Sequence, residues 1–284
     1  MIENKKAYCK YVHGNADDSG SEALKLFLPV KDGYVNYNIV HSVQKSSNCD
    51  TWRLSAAYHC DDKLSPSKQL TRQGAEWEMA LKIQNRPDFV GGYAHGDEVY
   101  NKIELTIDGE KREICSLVEP IAFKNLSVEV WSKGYDPLDS ITEALLHYKK
   151  IDVDENCVRV SQKVEWLKDY ELGRSYMAMF PPFKEFTDSY YTNVDLDKKP
   201  IRLAKDISGS EKGLDTICLC GESGFTFSMQ VEKYLTDSEN GNTFLISDNG
   251  GVPYNKMYFP LCHIGCVETG EVWETVTVYT IKKK

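Results

Sequence analysis

The sequence predicts an all-β fold: a large antiparallel β-sandwich or jelly roll with at most one or two short helices, in a single domain spanning 1–284. Three observations carry this prediction. Short stretches alternating apolar and polar residues recur along the chain. Turn signals such as Asp32-Gly33 and Asp108-Gly109 separate them. The 17 Tyr, 10 Phe and 5 Trp supply side chains that suit a half-buried pleated surface.

Taken in order, residues 1–23 read as a peripheral or flexible segment with a polar loop at 14–21. Leu24, Leu26 and Leu28 then alternate up to Pro29, and the Asp32-Gly33 turn returns the chain into a second strand at 34–43. A turn cluster at 46–50 precedes a strand at 51–60, and 61–74 is a polar connection. The segment 76–83 reads as a strand with Glu76, Glu78 and Lys82 on one solvated face. A glycine-rich loop at 89–98 leads to a strand at 99–107, the tight Asp108-Gly109 hairpin and a strand at 110–114. Leu126, Val128 and Val130 share one face of the next strand. Residues 140–149 open on Ser-x-x-Glu, which fits a helix capping box but equally a strand. Val158, Val160, Gln162, Val164 and Trp166 alternate again, and Pro181-Pro182 ends the apolar stretch before it. Residues 185–199, centred on Tyr190-Tyr191, read as a long surface loop. The last strands place Phe225, Phe227, Met229 and Val231 on one face, and Trp273, Thr275, Thr277 and Tyr279 on another. No repeat marks a propeller or solenoid.

Composition excludes several classes. A net charge of −9 argues against nonspecific nucleic-acid binding, which needs basic patches. No apolar run approaches the roughly 20 residues of a membrane helix, so membrane insertion is not expected. The N-terminus lacks the apolar core of a signal peptide, which implies cytoplasmic synthesis. Nine cysteines form no secreted disulfide framework. Cys218/Cys220 and Cys262/Cys266 raise a zinc question, but their spacing is not Cys-x-x-Cys; buried thiols are expected, no metal site is assigned, and no cofactor is expected.

The loop Gly91-Gly92-Tyr93-Ala94-His95-Gly96-Asp97-Glu98 is the sharpest candidate for chemistry. Its glycines permit close backbone approach, His95 would act as a base near neutral pH, and Asp97 or Glu98 would orient it or bind a metal. The competing reading is a bulged hairpin with a solvated histidine. Tyr190, Tyr191 and Arg174 are further catalytic candidates, and Tyr93, Asp97, Glu98, Tyr254, Asn255 and Lys256 are candidate binding residues. No Gly-x-Ser-x-Gly, P-loop, His-Glu-x-x-His or EF-hand pattern is present.

The stretches 76–82, Gly91-Gly92-x-x-His95-Gly96-Asp97-Glu98 and Tyr176-Met-Ala-Met179 followed by Pro181 resemble uncharacterised β-rich proteins of bacterial and phage origin and, more distantly, the β-sandwich polysaccharide lyases. The likeness covers the middle third of the chain. The alginate-lyase strand motif Tyr-Phe-Lys-x-Gly-x-Tyr is absent, its nearest counterpart being 254–259. The resemblance implies a carbohydrate-facing β-sandwich whose partner is a polysaccharide or cell-surface glycan. One expectation is a lyase acting on a uronic-acid glycan by β-elimination, with His95 as base, Tyr190 or Tyr191 as acid, and Arg174 or Lys256 neutralising the carboxylate. The other is a noncatalytic glycan-binding or structural module, such as a phage fibre, capsid-surface or adhesin component. In that case the protein would form a homo-oligomer in a virion or outside the cell.

Overall fold

The structure is a computed structural model and describes residues 5–17, 20–74, 77–201, 205–235, 242–247, 251–259 and 265–284. The chain enters on an antiparallel meander: β1 (Ala7–Asp17), β2 (Gly20–Val30), β3 (Gly33–Gln44) and β4 (Cys49–Cys60), with β5 (Pro66–Gln69) beside the end of β4. The short helix α1 (Gly92–His95) precedes β6 (Glu98–Ile107) and its hairpin partner β7 (Glu110–Arg112). Next, β8 (Ile121–Phe123) returns to the free edge of β1. A second meander continues with β9 (Leu126–Tyr135), β10 (Glu143–Val153) and β11 (Val158–Trp166). The remaining strands are β12 (Tyr170–Leu172), β13 (Met179–Phe180), β14 (Ser189–Thr192), β15 (Lys199–Pro200), β16 (Ile207–Glu211) and β17 (Thr216–Cys220), followed by β18 (Phe225–Lys233), β19 (Asn242–Ser247), β20 (Lys256–Tyr258), β21 (Gly265–Val267) and β22 (Val272–Lys283).

The all-β sandwich expected from the sequence is what forms. One large sheet runs β15-β14-β17-β18-β22-β11-β10-β9-β6-β4-β3-β2-β1-β8, and two smaller sheets, β12-β21 and β13-β20-β19-β16, accompany it. The Asp108-Gly109 turn forms as expected, while the hairpin expected at Asp32-Gly33 turns one residue earlier, with Val30 pairing Gly33. Asp108 and Gly109 both have positive φ (49° and 86°), which suits a two-residue hairpin between Ile107 and Glu110. The alternating stretches bury their apolar sets: Leu24, Leu26 and Leu28 join Val128, Val130, Val160, Val164 and Trp166 in one core. Tyr37 ties the first meander to β22, its hydroxyl accepting from the Ile281 N–H at 2.9 Å while its ring meets Trp77 edge-on.

The two meanders meet in the sheet through one parallel pairing, and it is short: Cys49 opposite Glu98 and Asp50 opposite Val99. Beyond it the strands part. The edge of β4 is then satisfied by side chains from the segment after β5. Thr71 Oγ1 accepts from the Ala57 N–H (2.7 Å), and Glu78 Oε1 accepts from the Leu54 N–H (2.8 Å). Buried backbone donors need such partners.

Three sequence expectations change here. Residues 77–83 form no regular strand, because Ala80, Leu81 and Ile83 bridge singly to three different partners, Tyr176, Val90 and Leu172. Glu78 is not solvated: it is 3% exposed and faces the Lys149 ammonium at 3.6 Å, whereas Glu76 lies outside the described residues. The Ser140 capping box does not form. Asp139 Oδ1 instead accepts from the Ile141 and Thr142 N–H groups, and the chain enters strand β10. In addition, 185–199 is no plain surface loop, since it buries Phe186 and contributes β14 and β15.

At the seam, Glu98 is 2% exposed. Its Oε1 accepts from His147 Nδ1 (2.9 Å) and Ser132 Oγ (2.8 Å), and its Oε2 from the Gly92 N–H (3.2 Å). Burial alone would raise this carboxyl, but the hydrogen bond and charge of His147, the charge of Lys149 and the Ser132 hydroxyl hold it far below the usual carboxylate range. A depressed carboxyl contributes stability that is fully present above its unfolded value and is given up as pH falls. Glu98→Gln should therefore cost about 3 kcal/mol at neutral pH, as expected for breaking a buried charge pair. The gap to the parent should narrow between about pH 5 and 3. Urea titrations across that range check this; equal stabilities at pH 7 would contradict it.

Candidate functional site

The glycine loop is built as a clamp. Its N-terminal approach is anchored by Arg86, whose guanidinium makes two parallel hydrogen bonds to Asp136 (2.5 and 2.8 Å). Asp88 Oδ1 accepts from the Phe89 N–H (2.8 Å) and pairs with His95 Nδ1 (2.7 Å), while the Phe89 ring lies 4.7 Å from the imidazole. Gly96, at φ 82°, comes so close to the 45–47 turn that an added Cβ would sit 1.9 Å from the Ser47 carbonyl oxygen. Asp97 donates its N–H to that same carbonyl (2.7 Å), and burial pushes its carboxyl up. His95 thus has Asp88, rather than Asp97 or Glu98, as its orienting carboxylate, and Glu98 is sealed in the seam. Tyr93 lies over Arg53, with 5.3 Å from guanidinium carbon to ring centroid.

The other residues singled out from the sequence fall in separate neighbourhoods. Tyr190 and Tyr191 sit on β14, which seven strands separate from β4 along the sheet, whereas α1 packs on β3 and β4. Tyr190 packs on Phe244 at 6.0 Å beside a cleft of about 150 Å³, and burial with neighbouring Cys218 pushes the Tyr191 phenol up. Asn255 is 1% exposed and donates to the Thr187 carbonyl and hydroxyl (3.2 and 2.9 Å). Tyr254 bridges to Phe183. Arg174 and Lys256 do meet a common feature. Arg174 lies beside Tyr176, Tyr176 pairs with Tyr258 at 4.6 Å, and Lys256 Nζ sits 5.4 Å from the Tyr258 ring. Cys218 and Cys220 are buried thiols, and Cys262 lies outside the described residues. Among the described residues, no group of three or more His, Cys, Asp or Glu is placed to hold a metal, and no helix is long and apolar enough to cross a membrane.

One concave site was not singled out from the sequence. Where β4 and β6 part, a groove of about 460 Å³ opens, lined by Tyr11, Glu22, Trp52, Tyr100, Lys102 and Glu104, with Arg112 and Cys115 at its rim. Two of its lining residues, Glu22 and Trp52, belong to an in-register row across four strands: His13 opposite Glu22, Glu22 opposite His41, and His41 opposite Trp52. The row is wired by hydrogen bonds. Tyr11 donates to Glu22 Oε2, Glu22 Oε1 meets His41 Nδ1 (2.6 Å), and His41 Nε2 meets Asp50 Oδ1 (2.7 Å). The His41 ring stacks parallel on Trp52 (5.0 Å, 6°) and edge-on to Tyr100 (5.2 Å). Trp52, 4% exposed, forms the floor, and its indole N–H has no acceptor among the described residues.

Electrostatically the groove is self-balanced. Burial would raise the Glu22 carboxyl, but the hydrogen bonds from Tyr11 and His41 outweigh it and hold it low. The bond to Glu22 pushes the Tyr11 phenol up to about 12, so Tyr11 keeps its proton at neutral pH. Glu104 is shared by Lys102 (2.8 Å) and Lys111 (3.0 Å), and Arg112 pairs with Glu110 (2.5 Å). Both His41 nitrogens already face carboxylates. This arrangement can hold hydroxyl groups, and the Glu22 and Glu104 carboxylates within it are already paired.

No protein-family model matches the chain, and no curated protein matches it in sequence. Solved structures do match in fold. The galactosidase domain of an α-galactosidase–sucrose kinase superposes with a TM-score of 0.54 at 8% identity, covering 92% of this chain and 40% of that one. A variant of the α-galactosidase AgaA of Geobacillus stearothermophilus, in complex with stachyose, gives 0.50 at 12% identity, covering 97% and 41%. The heparan sulfate lyase HepC of Pedobacter heparinus gives 0.43 at 10% identity, covering 94% and 36%, too distant to bear on activity. The likeness to the galactosidases is one of fold alone, and this chain spans about two-fifths of their length. None of these three is a phage protein, and the phage resemblance has no support in them.

If the glycine loop is a packed clamp, its glycines are not equivalent to those of an open turn. Gly96→Ala should cost at least about 2 kcal/mol, since positive φ and a backbone clash add. Gly109→Ala, at φ 86° with nothing within 4 Å of the added carbon, should cost only about 1 kcal/mol. Thermal melts compare the two; equal losses would mean that the loop yields freely.

Proposed function

We propose that this chain is a glycan-binding β-sandwich domain that takes a neutral oligosaccharide in the groove between β4 and β6. The observation that carries the proposal is the wired row Tyr11–Glu22–His41–Asp50 set against Tyr100 and Trp52. Sugars present hydroxyls that need fixed acceptors and donors, and C–H faces that pack on aromatic rings; this wall supplies both. Because each cation in the groove has a carboxylate partner, a polyanion finds little unbalanced charge there. The fold shared with α-galactosidases supports a carbohydrate ligand by analogy, and it makes stachyose a sensible first probe.

A lyase acting on a uronic-acid glycan is the second reading. It is favoured by Arg174 and Lys256 flanking the Tyr176–Tyr258 pair, where two cations could neutralise a carboxylate beside a phenol. It would still need a base there, and His95 is committed to Asp88 on another element.

Calorimetric titration with stachyose should show saturable binding. Tyr100→Ala should weaken that binding about tenfold, or roughly 1.4 kcal/mol. His95→Ala should leave it unchanged. If the parent shows no heat with stachyose while ultraviolet absorbance rises on alginate or glucuronan, the lyase reading takes its place.

A further inference from the structure

We propose that the outer face of β6, β9 and β10 continues the groove as a second, aromatic subsite, so that the ligand is an extended oligosaccharide rather than one sugar unit. The inference deepens the glycan-binding reading and rests on it.

One residue belongs to both places. Lys102 and Glu104 line the groove, and Lys102 Nζ also lies 4.3 Å from the centroid of the Trp131 ring. Trp131 in turn packs against Tyr148, with centroids 5.2 Å apart at 45°. Strand register puts the three in one line, since Lys102 is opposite Trp131 and Trp131 is opposite Tyr148. At about 4.8 Å per strand, the row from β6 to β10 spans roughly 10 Å, the reach of about two pyranose rings. Both aromatic rings are half-buried, so each keeps some surface toward solvent.

The platform is held in place. The Tyr148 hydroxyl donates to Glu129 Oε2 at 2.6 Å, which fixes the ring beside Trp131. An aromatic cross-strand pair on its own does no more than stabilise a sheet. What distinguishes this pair is that it continues from the groove through Lys102, a flexible side chain that is mostly solvent-facing and able to move off the indole face. Lys102 and Lys111 both pair with Glu104, and Glu129 lies opposite Glu104 in register, so two lysines meet two carboxylates along the path between the subsites, which suits the same neutral ligand.

The test compares galactose with the tetrasaccharide stachyose on the parent, Trp131→Ala and Trp131→Phe. The parent should bind stachyose at least tenfold more tightly than galactose. Trp131→Ala should remove that preference while leaving galactose affinity unchanged, and Trp131→Phe, which keeps a ring, should retain most of it. If the parent prefers stachyose but Trp131→Ala keeps the full preference, the second subsite is overturned and the groove reading survives. If neither sugar binds the parent, the groove reading fails and this inference falls with it. Equal affinities for the two sugars on the parent would overturn the extended ligand alone.

Discussion

Two residue pairs, Cys49 with Glu98 and Asp50 with Val99, are the sheet join between the meanders, and its shortness shapes the rest of the molecule. A longer pairing would close β4 against β6 and leave no groove. A missing one would leave the Glu98 carboxylate without its place between His147, Ser132 and the Gly92 amide. Past the join, the free edge of β4 is satisfied by Thr71 and Glu78, and Glu78 is in turn paired with Lys149 from the second meander. The polar groups that hold the seam are almost fully buried, which makes them expensive to leave unpaired and unavailable to a ligand.

The carboxylates of this chain therefore divide into two sets. Glu78, Glu98 and Asp136 are structural, matched to Lys149, His147 and Arg86 inside the protein. Glu22, Asp50 and Glu104 stand at the groove, matched to His41 and lysines that solvent still reaches. Each carboxylate in both sets has a side-chain partner. A site built this way is prepared for hydroxyl groups and aromatic stacking more than for abstracting a proton.

Much of the fold was legible in the sequence because period-2 burial and turn chemistry are local signals. Asp108-Gly109 behaves as read, and so do the faces of β11 and β22. The segment 77–83 was misread because its apolar-polar alternation is not one of burial: 77–81 are buried throughout, and the segment bridges singly instead of pairing in a ladder. The glycine loop attracted attention for the right residues, yet what demands Gly96 is the Ser47 carbonyl and what demands Gly91 is the Met79 carbonyl, contacts that no local pattern reveals. The groove was missed although part of its signal was present. The two-residue turn that pairs Val30 with Gly33 also places Glu22 opposite His41 when the register is counted back along the strands. Trp52 follows in the same way, opposite His41 across the β3–β4 hairpin, whereas finding Tyr100 beside them required the parting of β4 and β6, which is tertiary.

The central claim is that the parting of these two strands makes a glycan site. Amide and indole chemical-shift mapping during a stachyose titration tests it most directly. The account predicts shifts concentrated at Tyr11, Glu22, Asp50, Trp52 and Tyr100 to Glu104, with the Trp52 indole N–H among the largest. Shifts gathered instead around Arg174, Tyr176 and Tyr258, or around His95, with the groove silent, would contradict it.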